Sequence, residues 1–246
     1  MIGILFMNEL RKTRRSLALV LMVAAPLVVV LFNIALMLKN GSRANGPIGA
    51  WEAYWLSNFA LWCYFMLPMY IALSTSFLSG SEHRNHTWRL MFTLPVSPHQ
   101  LFLAKALVAY ALVLGACFML YGLAAAGVLV ISLFGRPAEN AMAFPAGAYF
   151  ARIALGCLPT LTIHHVLAWR FPNLVLPLAA GVFGTIGIMQ VGSSEYWVYW
   201  PWSYSMMAAN GSTAALQLQA MLLAVAVAAS FYAMASLSVV RSNLHR

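Results

Sequence analysis

Aspartate is absent from this chain of 246 residues, and its whole acidic complement is Glu9, Glu52, Glu82, Glu139 and Glu195. Charged residues make up only 8% of the sequence and hydrophobic ones 63%. A typical soluble domain carries about 25% charge, because a water-facing surface needs it. The shortage excludes an ordinary soluble fold and leaves few partners for acid–base chemistry. Cysteine is scarce too. Cys63, Cys117 and Cys157 lie far apart inside apolar runs, an odd number without metal-ligand spacing. That excludes a disulfide framework and reads as three small buried side chains. Nucleotide-binding chemistry is also missing. Gly41 and Gly46 have phosphate-loop spacing, but Pro47 and Ile48 stand where the loop needs Lys and Ser/Thr. No G-x-S-x-G elbow occurs.

What is present is apolar length. A bilayer crossing takes roughly 20 apolar residues. Six runs meet or approach that, at about 16–38, 56–78, 103–134, 146–169, 174–191 and 214–240. They predict an all-α membrane protein of six transmembrane helices in a single domain spanning 1–246. The fifth run is the shortest, and it carries Pro177, Gly181, Gly184 and Gly187. Such residues in a span predict an irregular or closely packed helix.

The net charge of +9 would suit nucleic acid, but the basic residues sit at the ends of apolar runs, which excludes that partner. Their distribution sets orientation instead. With six spans, one side holds Arg11, Lys12, Arg14, Arg15, Arg84, Arg89, Lys105, Arg170, Arg241 and Arg246. The other holds Lys39, Arg43, Arg136 and Arg152. The positive-inside rule puts the richer side, with both termini, in the cytoplasm. Ahead of the first run, Ile2, Leu5, Phe6 and Leu10 fall at helical spacing. Residues 1–15 therefore read as an interfacial helix on the inner surface; a plain signal anchor is the alternative. Before the last run, Tyr196, Trp197, Tyr199, Trp200, Trp202 and Tyr204 crowd one loop. They read as a membrane-interface belt or as a lid over an exit path.

The most polar internal stretch, "SEHRNHTWRLMFTLPVSPHQLFLAK" from Ser81 to Lys105, separates the second and third runs. A short helix from about Glu82 to Thr93 would gather Trp88, Met91 and Phe92 on one face. Trp and Arg are the residue types that dominate protein interfaces, so the stretch reads as a docking element or as an amphipathic loop on lipid. Pro95 would end that helix. Ser97 and Pro98 have the form of an N-cap and first position for the next one, running into the third span.

This stretch resembles the cytoplasmic loop of ABC-2 family permeases, the membrane subunits of ABC exporters. The resemblance rests on Glu82, Thr87, Trp88, Arg89, Leu90 to Ser97, Leu101 and Lys105. The "TW…LPVS" form is most similar to the bacitracin-resistance and lantibiotic-immunity branch. Asn8, Glu9, Leu10, Lys12 and Ser16 near the start, and "WPWSY" at Trp200 to Tyr204, are similar too. His83, His86 and His99 lie outside the pattern.

The resemblance implies a type-2 ABC exporter fold with six helices, an N-terminal interfacial helix, a coupling helix within 80–102, and short re-entrant helices before the last span. It implies pairing with a second permease copy or a related permease, in the bacterial cytoplasmic membrane and in contact with membrane lipid. Two cytoplasmic ATPase subunits would dock on the coupling helices and carry the ATP and Mg; this chain would hold no cofactor or metal and would not be an enzyme. Expected docking residues are Glu82, Arg84, Thr87, Trp88, Arg89, Met91 and Phe92. The expected translocation path, on the second and fifth spans, involves Asn58, Ser74, Thr75, Gly181, Gly184 and Gly187. The cargo would be an amphipathic peptide antibiotic or lipid-like molecule.

Two other readings compete. A membrane enzyme would use His164 and His165, or the loop histidines, although no acidic residue lies near His164 and His165 in sequence. A non-transporting scaffold would show no response to ATP hydrolysis.

Overall fold

A computed structural model describes residues 2–14, 16–39, 49–84, 96–192 and 194–243; side chains at Ser81 and 238–243 lie outside the description. Among these residues every regular element is helical. In chain order they are α1 (Ile2–Thr13), α2 (Leu17–Lys39), α3 (Ala50–Leu61), a π-helical turn (Trp62–Met66), α4 (Leu67–Arg84), α5 (Pro98–Leu133), α6 (Ala146–Gly156), α7 (Leu158–Arg170), α8 (Val175–Val191), two 3-10 turns (Glu195–Tyr199 and Pro201–Ser203), α9 (Tyr204–Asn210) and α10 (Ala214–Asn243).

Four segments are long and apolar enough to cross a bilayer: Leu17–Lys39, Ala50–Arg84, Pro98–Leu133 and Ala214–Leu237. A bent pair, α6 and α7, makes a fifth if counted as one span. Six spans are expected from the sequence; the described residues give four by length and composition, or five with the bent pair. The run at 146–169 breaks by 41° between Gly156 and Leu158. Pro159 explains the break: it has no N–H to give the preceding turn, and its ring crowds the carbonyl four residues back. The run at 174–191 becomes α8, of 17 residues. At 1.5 Å per residue that is about 25 Å, short of the roughly 30 Å hydrocarbon layer.

The run at 56–78 differs in the other direction. Its helix starts at Ala50 and continues to Arg84 through one π-helical turn. Pro68 lacks the amide that would reach the carbonyl of Tyr64. The turn before it widens, and the Leu67 amide bonds to Trp62 O instead.

The predicted start of the helix after the polar stretch holds. Ser97 is extended (φ −72°, ψ 143°); its hydroxyl accepts from the Gln100 amide, and the Gln100 side chain accepts from the Ser97 amide. This capping box launches α5, which runs 36 residues, about 54 Å. Helix α5 is the central post. It packs against α2 and α1 on one side and contacts α4, α6, α7 and α10. Its inward row, including Val108, Leu112, Ala116, Leu120 and Ile131, is fully or almost fully buried.

Elsewhere the hydrophobic pattern is inverted. Leu31, Phe118, Leu129, Phe183, Leu222 and Leu237 are each more than half exposed. In water this would be an aggregation surface; in a bilayer it is the lipid-facing coat of a multi-pass membrane protein.

Candidate functional site

The site of interest lies where α1, the last turn of α4 and the first turns of α5 meet. Lys105 sits one residue-row inside α5 with no solvent exposure. Its Nζ lies 2.7 Å from Glu9 Oε2 on α1 and 2.9 Å from Glu82 Oε1 on α4. A third acceptor, Leu78 O, is at 3.1 Å, so the three N–H donors of the ammonium have three acceptors around them. Lys12, near the end of α1, bonds the same two carboxylates, Glu9 at 2.5 Å and Glu82 at 3.3 Å. Glu9 and Glu82 are each 3% exposed.

Two carboxylates and two ammoniums sum to zero charge, which is the condition under which buried ions are tolerated. Removing one member leaves another uncompensated, at a cost of about 3–5 kcal/mol. The cluster therefore links α1, α4 and α5 at this corner.

Sequence reasoning missed this assembly. Glu82 is expected as a docking contact, but its carboxylate is turned inward onto Lys105 and Lys12. Arg84, two residues on, is exposed. Thr87, Trp88, Arg89, Met91 and Phe92 lie outside the described residues, as does most of the predicted helix from Glu82 to Thr93. Glu82 to Arg84 belong to α4. The cluster's members stood in the two quoted motifs, Glu9 and Lys12 near the start and Glu82 and Lys105 around the loop, with no sign that the two motifs meet.

Residues 5–188 match the family described as ABC-2 family transporter protein. The chain belongs to this family. No curated protein matches it. The matched range takes in α1 to α8 and all four members of the charged cluster. An ABC-2 chain is a transport subunit, the permease of an ABC transporter, and ABC-2 permeases generally work with separate ATPase subunits.

The permease's expected path residues are placed as follows. Asn58, Ser74 and Thr75 are fully buried within the single chain. Asn58 gives its amide to Tyr54 O and accepts from Asn33 at 3.4 Å, linking α3 to α2. Ser57 also bonds Asn33. Ser74 and Thr75 return their hydroxyls to Ile71 O one turn back.

The glycines of α8 have a packing role. A Cβ on Gly184 would run into the ring of Trp202, and one on Gly187 into that of Trp200. Trp200 Nε1 donates to Gly184 O at 2.9 Å. Gly181 lets α8 approach Met69 and Ala72 of α4. The aromatic loop thus divides: Trp197 and Tyr204 are buried and Trp200 and Trp202 are seated on α8, whereas Tyr196 and Tyr199 are exposed.

Three histidines are hydrogen-bond partners to neighbouring helices and loops. His164 Nε2 accepts from Trp202 Nε1 at 3.2 Å. His165 Nε2 lies 3.1 Å from Phe102 O, and His83 Nε2 lies 3.1 Å from Ala168 O. His99 meets the ring of Tyr232 edge-on, and His86 lies outside the described residues. Among the described residues no group of three His, Cys, Asp or Glu is placed to hold a metal.

Proposed function

We propose that this permease is the membrane half of an ATP-binding cassette exporter in a bacterial cytoplasmic membrane, and that its α4–α5 connection takes the ATPase. The observation that carries the proposal is the cluster of buried Glu9, Glu82 and Lys105, closed on its outer side by the exposed Lys12. The connection emerges from the end of α4 and re-enters at the capped start of α5. Lys105 ties both of those ends to α1. A push on the connection is then delivered to α1, α4 and α5 together rather than absorbed by bending one helix. Glu82 contributes by fixing the end of α4, while Trp88, Met91 and Phe92 supply apolar anchors and Arg89 a charged one. ATP and Mg belong to the partner.

On this reading α8 counts as a sixth crossing, both termini are cytoplasmic, and two ATPases serve a pair of permeases. The path runs along the pairing face, bordered by α4 and α8, the helices that carry Ser74, Thr75 and the glycines. An amphipathic cargo, a peptide antibiotic or a lipid-like molecule, is in keeping with the bacitracin-resistance and lantibiotic-immunity resemblance.

The test is purification of the tagged chain from its host in mild detergent, followed by mass spectrometry. A stoichiometric phosphate-loop ATPase is expected to co-purify. Trp88→Ala should weaken its retention by about 2 kcal/mol, the size of an interface anchor. A chain that comes down alone, or equal retention in the variant, would remove the docking assignment.

A further inference from the structure

Two clefts flank the last turns of α4, and Phe77 and Arg84 stand on the rim of both. The smaller, about 480 Å³ of open space, faces the α7–α8 connection. The larger, about 710 Å³, lies between α4 and the corner where α1 turns into α2. Its polar side carries Lys12, Ser16 and Arg84; its apolar side carries Leu17 and Phe77. Glu9 also borders it, but both of that carboxylate's oxygens are engaged by Lys105 and Lys12.

The donors left over point to an anion. Lys12 gives N–H groups to Glu9 and Glu82, which leaves one of its three. Ser16 Oγ accepts from the Ala18 amide at 3.1 Å, which leaves its O–H to donate. Arg84 makes no ion pair with any described residue. Arg14, exposed in the turn after α1, adds to the positive field. The charged cluster behind the cleft sums to zero, so among the described residues no acidic group is left over beside Arg84.

The apolar wall points to the kind of anion. Leu17 is 61% exposed and Val20, one turn further along α2, is 60% exposed. The wall therefore continues into the lipid-facing coat. Basic pockets beside membrane helices are suited to anionic headgroups. We propose that this cleft binds an anionic phospholipid, with the phosphate held by Arg84, Lys12 and Ser16 and the acyl chains laid along Leu17 and Phe77. The site would anchor the α1–α2 corner to the leaflet on which α1 lies.

The test is native mass spectrometry of the delipidated full chain, titrated separately with phosphatidylglycerol, phosphatidylcholine and glycerol phosphate. Phosphatidylglycerol should be retained in preference to phosphatidylcholine. Arg84→Gln should lower that preference about fivefold, the effect of one basic residue near anionic lipid. Arg84→Lys should keep most of it, and Arg11→Gln, on α1 but off the cleft, should leave it unchanged. Equal retention of the two lipids, or an equal loss in Arg11→Gln and Arg84→Gln, would overturn the site in favour of diffuse surface charge. Glycerol phosphate binding as well as the lipid, or displacing it, would overturn the lipid assignment in favour of a soluble phosphate compound. No ATPase takes part in this measurement, so its outcome is separate from that of the permease proposal.

Discussion

The two ends of α5 are both crowded with buried polar and aromatic side chains, yet they are held by opposite means. At its start, Lys105 joins Glu9 and Glu82 through contacts of 2.7 and 2.9 Å. At its far end, Trp55 stacks on Phe59, Tyr121 and Phe144, and Phe59 and Phe144 both meet Tyr149. Trp55 also donates to Ala141 O at 2.7 Å, and Trp51 to Pro137 O at 3.0 Å, fastening the α5–α6 connection. A charge cluster is all-or-none, because each member is tolerable only while the others are present. A ring stack is graded, because each pair adds only about 0.5–1.5 kcal/mol beyond its burial. The end expected to receive motion is the brittle one, and the other end yields by degrees.

This contrast can be broken most directly at Lys105. Lys105→Met should destabilise the chain by about 3–5 kcal/mol by leaving two buried carboxylates to share Lys12 alone, seen as a fall in the thermal midpoint in detergent. Adding Glu82→Gln to Lys105→Met should cost much less than the sum of the two single changes, since they share one network. Additive costs would show that the cluster does not act as a unit. At the aromatic end, Trp55→Phe keeps a ring but loses the bond to Ala141 O. The expected cost is about 1–2 kcal/mol, again read from the thermal midpoint. A Trp55→Phe loss matching that of Lys105→Met would erase the distinction between the ends. Ser97→Ala, which removes the cap of α5, should cost about 1 kcal/mol. Smallest of all should be the response to salt. Raising ionic strength to 1 M should shift the wild-type midpoint only slightly, because the Lys105 contacts to Glu9 and Glu82 are buried and only the exposed Lys12 meets mobile ions.

The helices were legible in the sequence where hydrophobic periodicity and local punctuation agreed. Ser97 and Pro98 marked the start of α5 because a capping box is a local bond pattern. Pro159 was visible too, but a proline near the middle of an apolar run does not say whether the helix kinks or splits. The π-helical turn before Pro68 had no separate signature. The glycines at 181, 184 and 187 were seen, but their spacing fits a substrate path and a seat for rings equally well; only the fold brings Trp200 and Trp202 to them. The charged cluster was the least legible. Glu9 and Lys12 stand some seventy residues before Glu82 and Lys105, with two long apolar runs between, so no short window of sequence contains all four. Glu82 looked like a surface residue because its neighbours in sequence are polar, whereas its neighbours in space are Lys12 and Lys105.

The capping box and Lys105 share one helix, and that fixes a length as well as a geometry. A single residue inserted between Ser97 and Lys105 would rotate everything after it by about 100° relative to the cap, carrying the ammonium off the seam shared with Glu9 and Glu82. The same insertion between Phe134 and Ala146, where the chain runs as an irregular connection, would rotate no helix and would cost at most the graded contacts that Trp51, Trp55 and Phe144 make there. The gene should therefore tolerate insertions and deletions unevenly around α5: a rigid reading distance just before Lys105, and elastic spacing beyond Leu133. A library of one-residue insertions scored for folded yield would map that boundary directly.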